Sequence, residues 1–180
     1  MSSKRNYLIR LATAAMLLAV AFLLPFLTGQ IPKLGNMLCP MHLPILIAGF
    51  FCGPVLAAVV GATAPLLRSL TLGMPPLFPT AAAMSFELAT YGAIAGILYS
   101  FLRKKKWGVY ASLLGAMIGG RIVWGIVSLI FYGVQGNSFT FGIFFTQAVV
   151  NAIPGIILQI VLIPLLVYTL EDNYQKLLRG

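Results

Sequence analysis

The stretch from Thr80 to Leu102 reads TAAAMSFELATYGAIAGILYSFL, and the basic run RKKK follows it at residues 103–106. Its single charged side chain is Glu87. A transmembrane α-helix needs about 20 predominantly apolar residues. The stretch therefore predicts a helix that crosses a membrane and ends where the basic run begins.

The composition of the whole chain agrees with this prediction. Of its 180 residues, 60% are hydrophobic and 8% are charged, whereas a soluble domain carries about 25% charged residues. There is too little polar surface to face water, which excludes a soluble enzyme, a disordered tail and a coiled coil. We predict an integral membrane protein with one transmembrane domain over residues 1–180.

Further apolar runs complete an all-α membrane protein with six transmembrane helices. The predicted helices lie at about 7–26, 41–52, 54–70, 80–102, 107–133 and 143–170. The run at 41–52 is short for a full crossing, so we expect other helices to shield its end.

The distribution of lysine and arginine between the two sides of the membrane predicts the orientation of these helices. An even number of crossings puts both termini on one side, together with nine cations: Lys4, Arg5, Arg10, the run 103–106, Lys176 and Arg179. The other side has Lys33 alone. Because positive loops stay inside, we expect both termini to be cytoplasmic.

The net charge of +9 does not indicate a nucleic-acid-binding protein, because the cations lie at helix ends and between apolar runs. Cys39 and Cys52 form no C-x-x-C pair, so neither a metal site nor a disulfide framework is predicted. The chain has one histidine and lacks the H-E-x-x-H, G-x-S-x-G and Walker A motifs. We therefore expect no enzyme activity and no cofactor in this chain, and any transport would need a partner or a gradient for its energy.

Three ionisable side chains are predicted at one depth in the membrane. At about 1.5 Å rise per residue, Arg68 and Arg121 each lie about 21 Å above the cytoplasmic start of their helices. At the same rise per residue, Glu87 lies about 10 Å below the outer surface. In a core about 30 Å thick, this is nearly the level of the two arginines. Asn151 falls close to this layer, and His42 just above it.

Ionisable groups at membrane depth mark functional sites by default. Two cations and one acid leave one positive charge, which an anionic ligand could match through the planar guanidinium fork. The alternative is an ion pair between Glu87 and either Arg68 or Arg121 that only fastens helices together. The sequence leaves open which arginine is paired.

Other polar and aromatic side chains share helix faces with this layer, at helical spacing. The predicted substrate-binding residues are His42, Arg68, Glu87, Tyr91, Arg121, Trp124, Gln147 and Asn151, with Asn36 in the first outer loop. Several of them also have interpretations without a role in binding. Tyr91 is then a helix-packing residue, Trp124 an interfacial belt residue, His42 a hydrogen-bonded helix end, and Asn36 a solvated loop residue.

The first predicted helix carries a small-xxx-small pair, Ala15 and Ala19. Such a pair lets another helix approach closely, so it predicts a partner-docking face. Alanine-rich membrane helices are also common without any partner.

The chain resembles the substrate-binding S components of energy-coupling factor (ECF) vitamin transporters over its whole length. The resemblance lies in the size, the six helices, the long first outer loop and the Ala15-x-x-x-Ala19 motif. Three local strings, at 40–44 (PMHLP), 65–69 (PLLRS) and 73–80 (GMPPLFPT), are similar to the pantothenate branch.

This resemblance implies a multi-pass protein of a prokaryotic cell membrane. It implies a vitamin bound near the outer face, under loops one and three, by helices four to six. It also implies that the Ala-x-x-x-Ala motif docks on a transmembrane coupling protein, that two partner ATPases consume ATP, and that the S component topples to release its vitamin inside.

Pantothenate is a monoanion with hydroxyls and an amide, so it fits the surplus charge. Arg121 or Arg68 would hold its carboxylate, and Asn151, Gln147 and His42 would serve its neutral groups. Folate, riboflavin, pyridoxine-type and hydroxymethylpyrimidine ligands remain alternatives, and a flat ligand would stack on aromatic side chains. A gradient-driven transporter acting alone is an alternative of a different class.

Overall fold

The computed structural model describes residues 2–28, 37–134, 136 and 140–179, and no strand occurs within these ranges. Seven α-helices follow one another within these ranges: α1 (Ser2–Leu23), α2 (His42–Cys52), α3 (Pro54–Leu72), α4 (Ala82–Leu102), α5 (Gly108–Val134), α6 (Phe141–Phe145) and α7 (Ile153–Arg179). A 3-10 turn at Leu24–Thr28 extends α1, and π-helical turns at Leu77–Ala81 and Thr146–Val150 precede α4 and follow α6.

In the part of the chain that the structure describes, five segments are long and apolar enough to cross a membrane. They are Lys4–Leu27, Pro54–Leu72, Leu77–Leu102, Gly108–Val134 and Ile153–Leu178. Helix α2 is shorter, since its eleven residues rise only about 16 Å in a core of about 30 Å. It is nevertheless deeply buried among the other helices, as a short apolar helix at membrane depth requires.

The sixth predicted helix differs from what the structure contains. Instead of one helix over 143–170, the chain forms a short apolar segment, Phe141–Val150, and then α7, which begins at Ile153. Pro154 accounts for the interruption, because proline lacks an N–H and disfavours helical geometry in the residue before it. Helix α7 then continues past residue 170 to Arg179.

Helix α4 is the centre of the bundle and packs against α2, α3 and α5. A side chain at Gly61 of α3 would collide with the backbone of Leu88 in α4, and one at Gly92 would lie 2.6 Å from the backbone of Ala57. The two helices therefore touch backbone to backbone. This close approach lies in the first half of α3 and the middle of α4.

Both described ends of the chain lie at the same end of the bundle. Arg5 Nη2 donates to the carbonyl of Leu177 at 3.3 Å, and the hydroxyl of Tyr168 donates to the carbonyl of Lys106 at 2.9 Å. The basic run at 103–106 is thus adjacent to α7, and Arg5 of α1 contacts the end of the same helix. The turn after α3 and the start of α4 lie at the opposite end.

Candidate functional site

A cavity of about 510 Å³ lies at the end of the bundle opposite the termini. The residues that line it come from the turn after α1, from the segment before α2 and the first residue of α2, from the helices α3, α4 and α5, and from the segment before α7. Seven of the predicted substrate-binding residues line it: His42, Arg68, Glu87, Arg121, Trp124, Gln147 and Asn151.

The two remaining predicted residues do not line this cavity. Tyr91 is buried behind it, with its ring edge-on to that of His42 at 5.0 Å between centroids. The ring also fills the space where Gly120 of α5 has no side chain. Tyr91 therefore supports His42 and the α4–α5 contact, in line with the packing interpretation. Asn36 lies outside the described residues.

Glu87 is the centre of a buried polar cluster. Its Oε1 lies 3.0 Å from Nη1 of Arg121 and 3.4 Å from Nε2 of His42. The carboxylate is only 2% exposed, and an isolated charge at such burial would be costly. Arg121 therefore neutralises Glu87, and His42 provides a second polar contact.

The cluster continues to Cys39 in the segment before α2. Arg121 Nη2 donates to Cys39 Sγ at 3.6 Å, and the backbone of Cys39 is left-handed with φ 47°. Burial raises the pKa of the Cys39 thiol above its ordinary value, so the thiol stays neutral. It leaves the charge balance of the cavity unchanged.

Arg68 has a different environment from Arg121. It is 4% exposed, and its Nη1 donates to the carbonyl of Phe22 at 2.6 Å. Its guanidinium lies over the rings of Phe22 and Phe26, at 5.7 and 5.2 Å from their centroids. Within the described ranges, no carboxylate lies within 4 Å of Arg68. The cavity wall thus carries one positive charge that no acidic side chain neutralises.

The outer cover of the cavity consists of loop residues. Five residues between α3 and α4 line it: Met74, Pro75, Pro76, Pro79 and Thr80. The peptide bonds Met74–Pro75 and Phe78–Pro79 are cis. On the opposite side, Pro25, Cys39, Pro40 and Met41 contribute.

Sequence reasoning missed several of these lining residues. Cys39 and Met41 carry no charge and lie before α2, so no helical stripe includes them. Tyr132 lies eleven residues after Arg121 on the same face of α5, so helical spacing could have indicated it. Proline clustering at 75–79 marked a loop, but that signal did not show which way the side chains face. Ser128 and Met84, by contrast, lie on the stripes of Arg121 and Glu87 and line the cavity with them.

The predicted docking pair lies on the outside of the bundle. Ala15 and Ala19 are exposed on α1, so no other helix of the described chain covers them. They line a groove of about 420 Å³ between α1 and α3, with Leu18, Phe22, Leu23, Leu67 and Thr71. The groove is apolar and faces the side of the bundle.

The described residues contain no group of three His, Cys, Asp or Glu side chains placed to hold a metal ion. The lining of the cavity offers guanidinium, imidazole and amide groups that can form hydrogen bonds.

Comparison with known proteins agrees with this geometry. Residues 9–167 match the family model described as "ECF transporter, substrate-specific component". No curated protein and no solved structure matches the chain. Members of the matched family are subunits of transporters, not enzymes, and the apolar helices agree with a membrane location. Because the match covers most of its length, the chain belongs to the family of substrate-specific components of ECF transporters.

Proposed function

We propose that this protein is the high-affinity vitamin-binding subunit of an ATP-driven ECF uptake transporter, and that its vitamin is pantothenate. The observation that carries the proposal is the uncompensated guanidinium of Arg68 in the wall of a cavity of about 510 Å³. Ligand pockets of about 300–1,000 Å³ bury most of a small molecule. A monoanion with additional hydrogen-bonding groups matches both the charge and the polar lining.

In this proposal the carboxylate of pantothenate binds Arg68. Arg121 is the weaker candidate, because its Nη1 already lies 3.0 Å from the carboxylate of Glu87. A second anion there would meet the negative charge of Glu87. The hydroxyl and amide groups of the ligand would lie towards His42, Gln147 and Asn151, whose side chains offer donors and acceptors.

We propose six membrane crossings with both termini in the cytoplasm of a prokaryotic cell. The gathering of the basic run 103–106, Arg5 and α7 at one end of the bundle supports this orientation, because positive segments stay inside. The burial of α2 supports its role as a short crossing shielded by protein. The cavity then opens to the outside, where a vitamin is captured.

The proposed partners are a transmembrane coupling protein and two ATPases, which use ATP while this chain carries no cofactor of its own. The coupling protein would dock on Ala15 and Ala19. Their exposure supports this, because small exposed residues on a membrane helix allow close approach of a second helix.

Binding to purified protein in lipid nanodiscs tests the vitamin. Isothermal titration with pantothenate, folate, pyridoxine and hydroxymethylpyrimidine should give heat of binding with pantothenate and at least a tenfold weaker response with the two uncharged vitamins. Tight binding of folate alone would move the assignment to another vitamin of the same family. No binding of any vitamin would contradict the proposed function.

The double substitution Ala15→Leu/Ala19→Leu tests the partner. It should leave pantothenate affinity unchanged and stop uptake in cells that express the coupling protein and the ATPases, because two isobutyl side chains replace two methyl groups and fill the groove. Met16→Leu, on the lipid side of the same helix, is the control and should transport normally. Normal uptake by the alanine variant would refute the docking role.

A further inference from the structure

The guanidinium of Arg68 is held in place by a part of the chain that lies outside the cavity. Phe22 and Phe26 contribute both rings under the guanidinium and the carbonyl that accepts from Nη1. Neither phenylalanine lines the cavity, whereas Arg68 does. The two rings contact Arg68 and do not line the space for a ligand, so we expect them to affect a bound ligand through Arg68.

The carbonyl of Phe22 is open to Arg68 because of the way α1 ends. The helix ends at Leu23, and Leu24–Thr28 continue as a 3-10 turn. In a 3-10 turn, the carbonyl of a residue accepts from the N–H three residues later. For Phe22 that residue is Pro25, which has no N–H. Arg68 supplies the missing donor at 2.6 Å.

The two rings restrict the guanidinium further. A cation over an aromatic face is attracted by the ring quadrupole, and more strongly where water is excluded. An arginine side chain otherwise has several freely rotating bonds, and ordering them opposes ligand binding. The guanidinium uses Nη1 for the carbonyl of Phe22 and lies over the rings of Phe22 and Phe26. Because arginine has five N–H donors, further donors remain for a ligand.

We propose that Phe22 and Phe26 are positioning residues that set the preference of the cavity for an anionic ligand by orienting Arg68. The inference rests on the proposed function, because it concerns the same cavity. It adds that the end of α1, the helix that also carries Ala15 and Ala19, determines ligand specificity. A neutral ligand of the same shape gains less from this orientation, because its hydroxyl lacks the negative charge that strengthens a hydrogen bond to the guanidinium.

The test compares pantothenate with pantothenol, in which a neutral alcohol replaces the carboxylate. In the parent chain, pantothenate should bind more tightly than pantothenol. In Phe22→Leu/Phe26→Leu, the affinity for pantothenate should fall about tenfold, the order expected for lost cation–π contacts. The affinity for pantothenol should fall by a smaller factor, so the ratio of the two affinities also falls.

Three further variants separate orientation from general damage to the fold. Phe22→Tyr/Phe26→Tyr keeps both aromatic faces and should restore the parent ratio. Phe26→Leu alone changes a partly exposed ring and should lower the ratio by a smaller factor. Phe86→Leu/Phe101→Leu, on exposed positions of α4, makes the same chemical change elsewhere and should leave the ratio unchanged.

Two results would overturn the inference while the proposed function stands. One is an unchanged ratio in Phe22→Leu/Phe26→Leu. The other is an equal loss of affinity for both ligands, which indicates a purely structural role. If the parent chain binds neither compound, the proposed function itself fails and the inference falls with it.

Discussion

Replacing Arg68 by glutamine removes a positive charge from the cavity wall that has no acidic partner among the described residues. A hydrogen bond to a charged group contributes about 1.5–3 kcal/mol, so the dissociation constant for pantothenate should rise by roughly 10- to 150-fold. The substitution also leaves the carbonyl of Phe22 without the donor it has at 2.6 Å. We expect a loss of folding stability of about 1–3 kcal/mol from that unsatisfied group.

Isothermal titration in nanodiscs measures the affinity, and thermal unfolding without ligand measures the stability. Arg103→Gln is the matched control, because Arg103 is an exposed arginine in the basic run at the other end of the bundle. It should change neither quantity. If Arg68→Gln binds pantothenate within about twofold of the parent, by the affinity arithmetic a difference below 0.5 kcal/mol, the electrostatic reasoning is refuted.

Two further predictions concern stability. Glu87→Gln and Arg121→Gln should each destabilise the fold by about 3–5 kcal/mol, because each leaves a buried charge without its partner. The double variant should cost less than the sum, and additive losses in thermal unfolding would mean that the pair is not coupled. Gly61→Ala should destabilise by about 1–3 kcal/mol or more, because its methyl group would collide with the backbone of α4. Gly133→Ala, which meets nothing within 4 Å, should be neutral, and equal unfolding temperatures for the two alanine variants would contradict the packing argument.

Depth and helical periodicity together predicted seven of the residues that line the cavity. Counting residues along three helices put Arg68, Glu87 and Arg121 at one level, and the structure places all three around one cavity. Spacing of three and four residues also put Trp124 and Ser128 on the face of Arg121, and both line the cavity. Their part in ligand binding stays a prediction.

Depth in the membrane could not show which of the two arginines pairs with Glu87. Arg68 and Arg121 lie at the same predicted level, so the partner of Glu87 depends on rotation about each helix axis. That rotation is set by packing: Gly61 fixes α3 against α4, and Gly120 admits the ring of Tyr91. Tyr91 shows the same limit, because it shares a stripe with Glu87 and still turns away from the cavity.

Irregular segments were the least predictable part of the chain. The left-handed backbone at Cys39 and the break before Pro154 carry no periodic signal. The interruption places Gln147 in a π-helical turn and Asn151 at its end, so their approach to the cavity depends on a local geometry that a continuous helix would not have.

A structure of the protein bound to pantothenate tests the central claim most directly. The account predicts the carboxylate on the guanidinium of Arg68, with N···O distances of about 2.7–2.9 Å, while Glu87 keeps its contact with Arg121. A carboxylate bound to Arg121 in place of Glu87, or a ligand that lies away from Arg68, would contradict it.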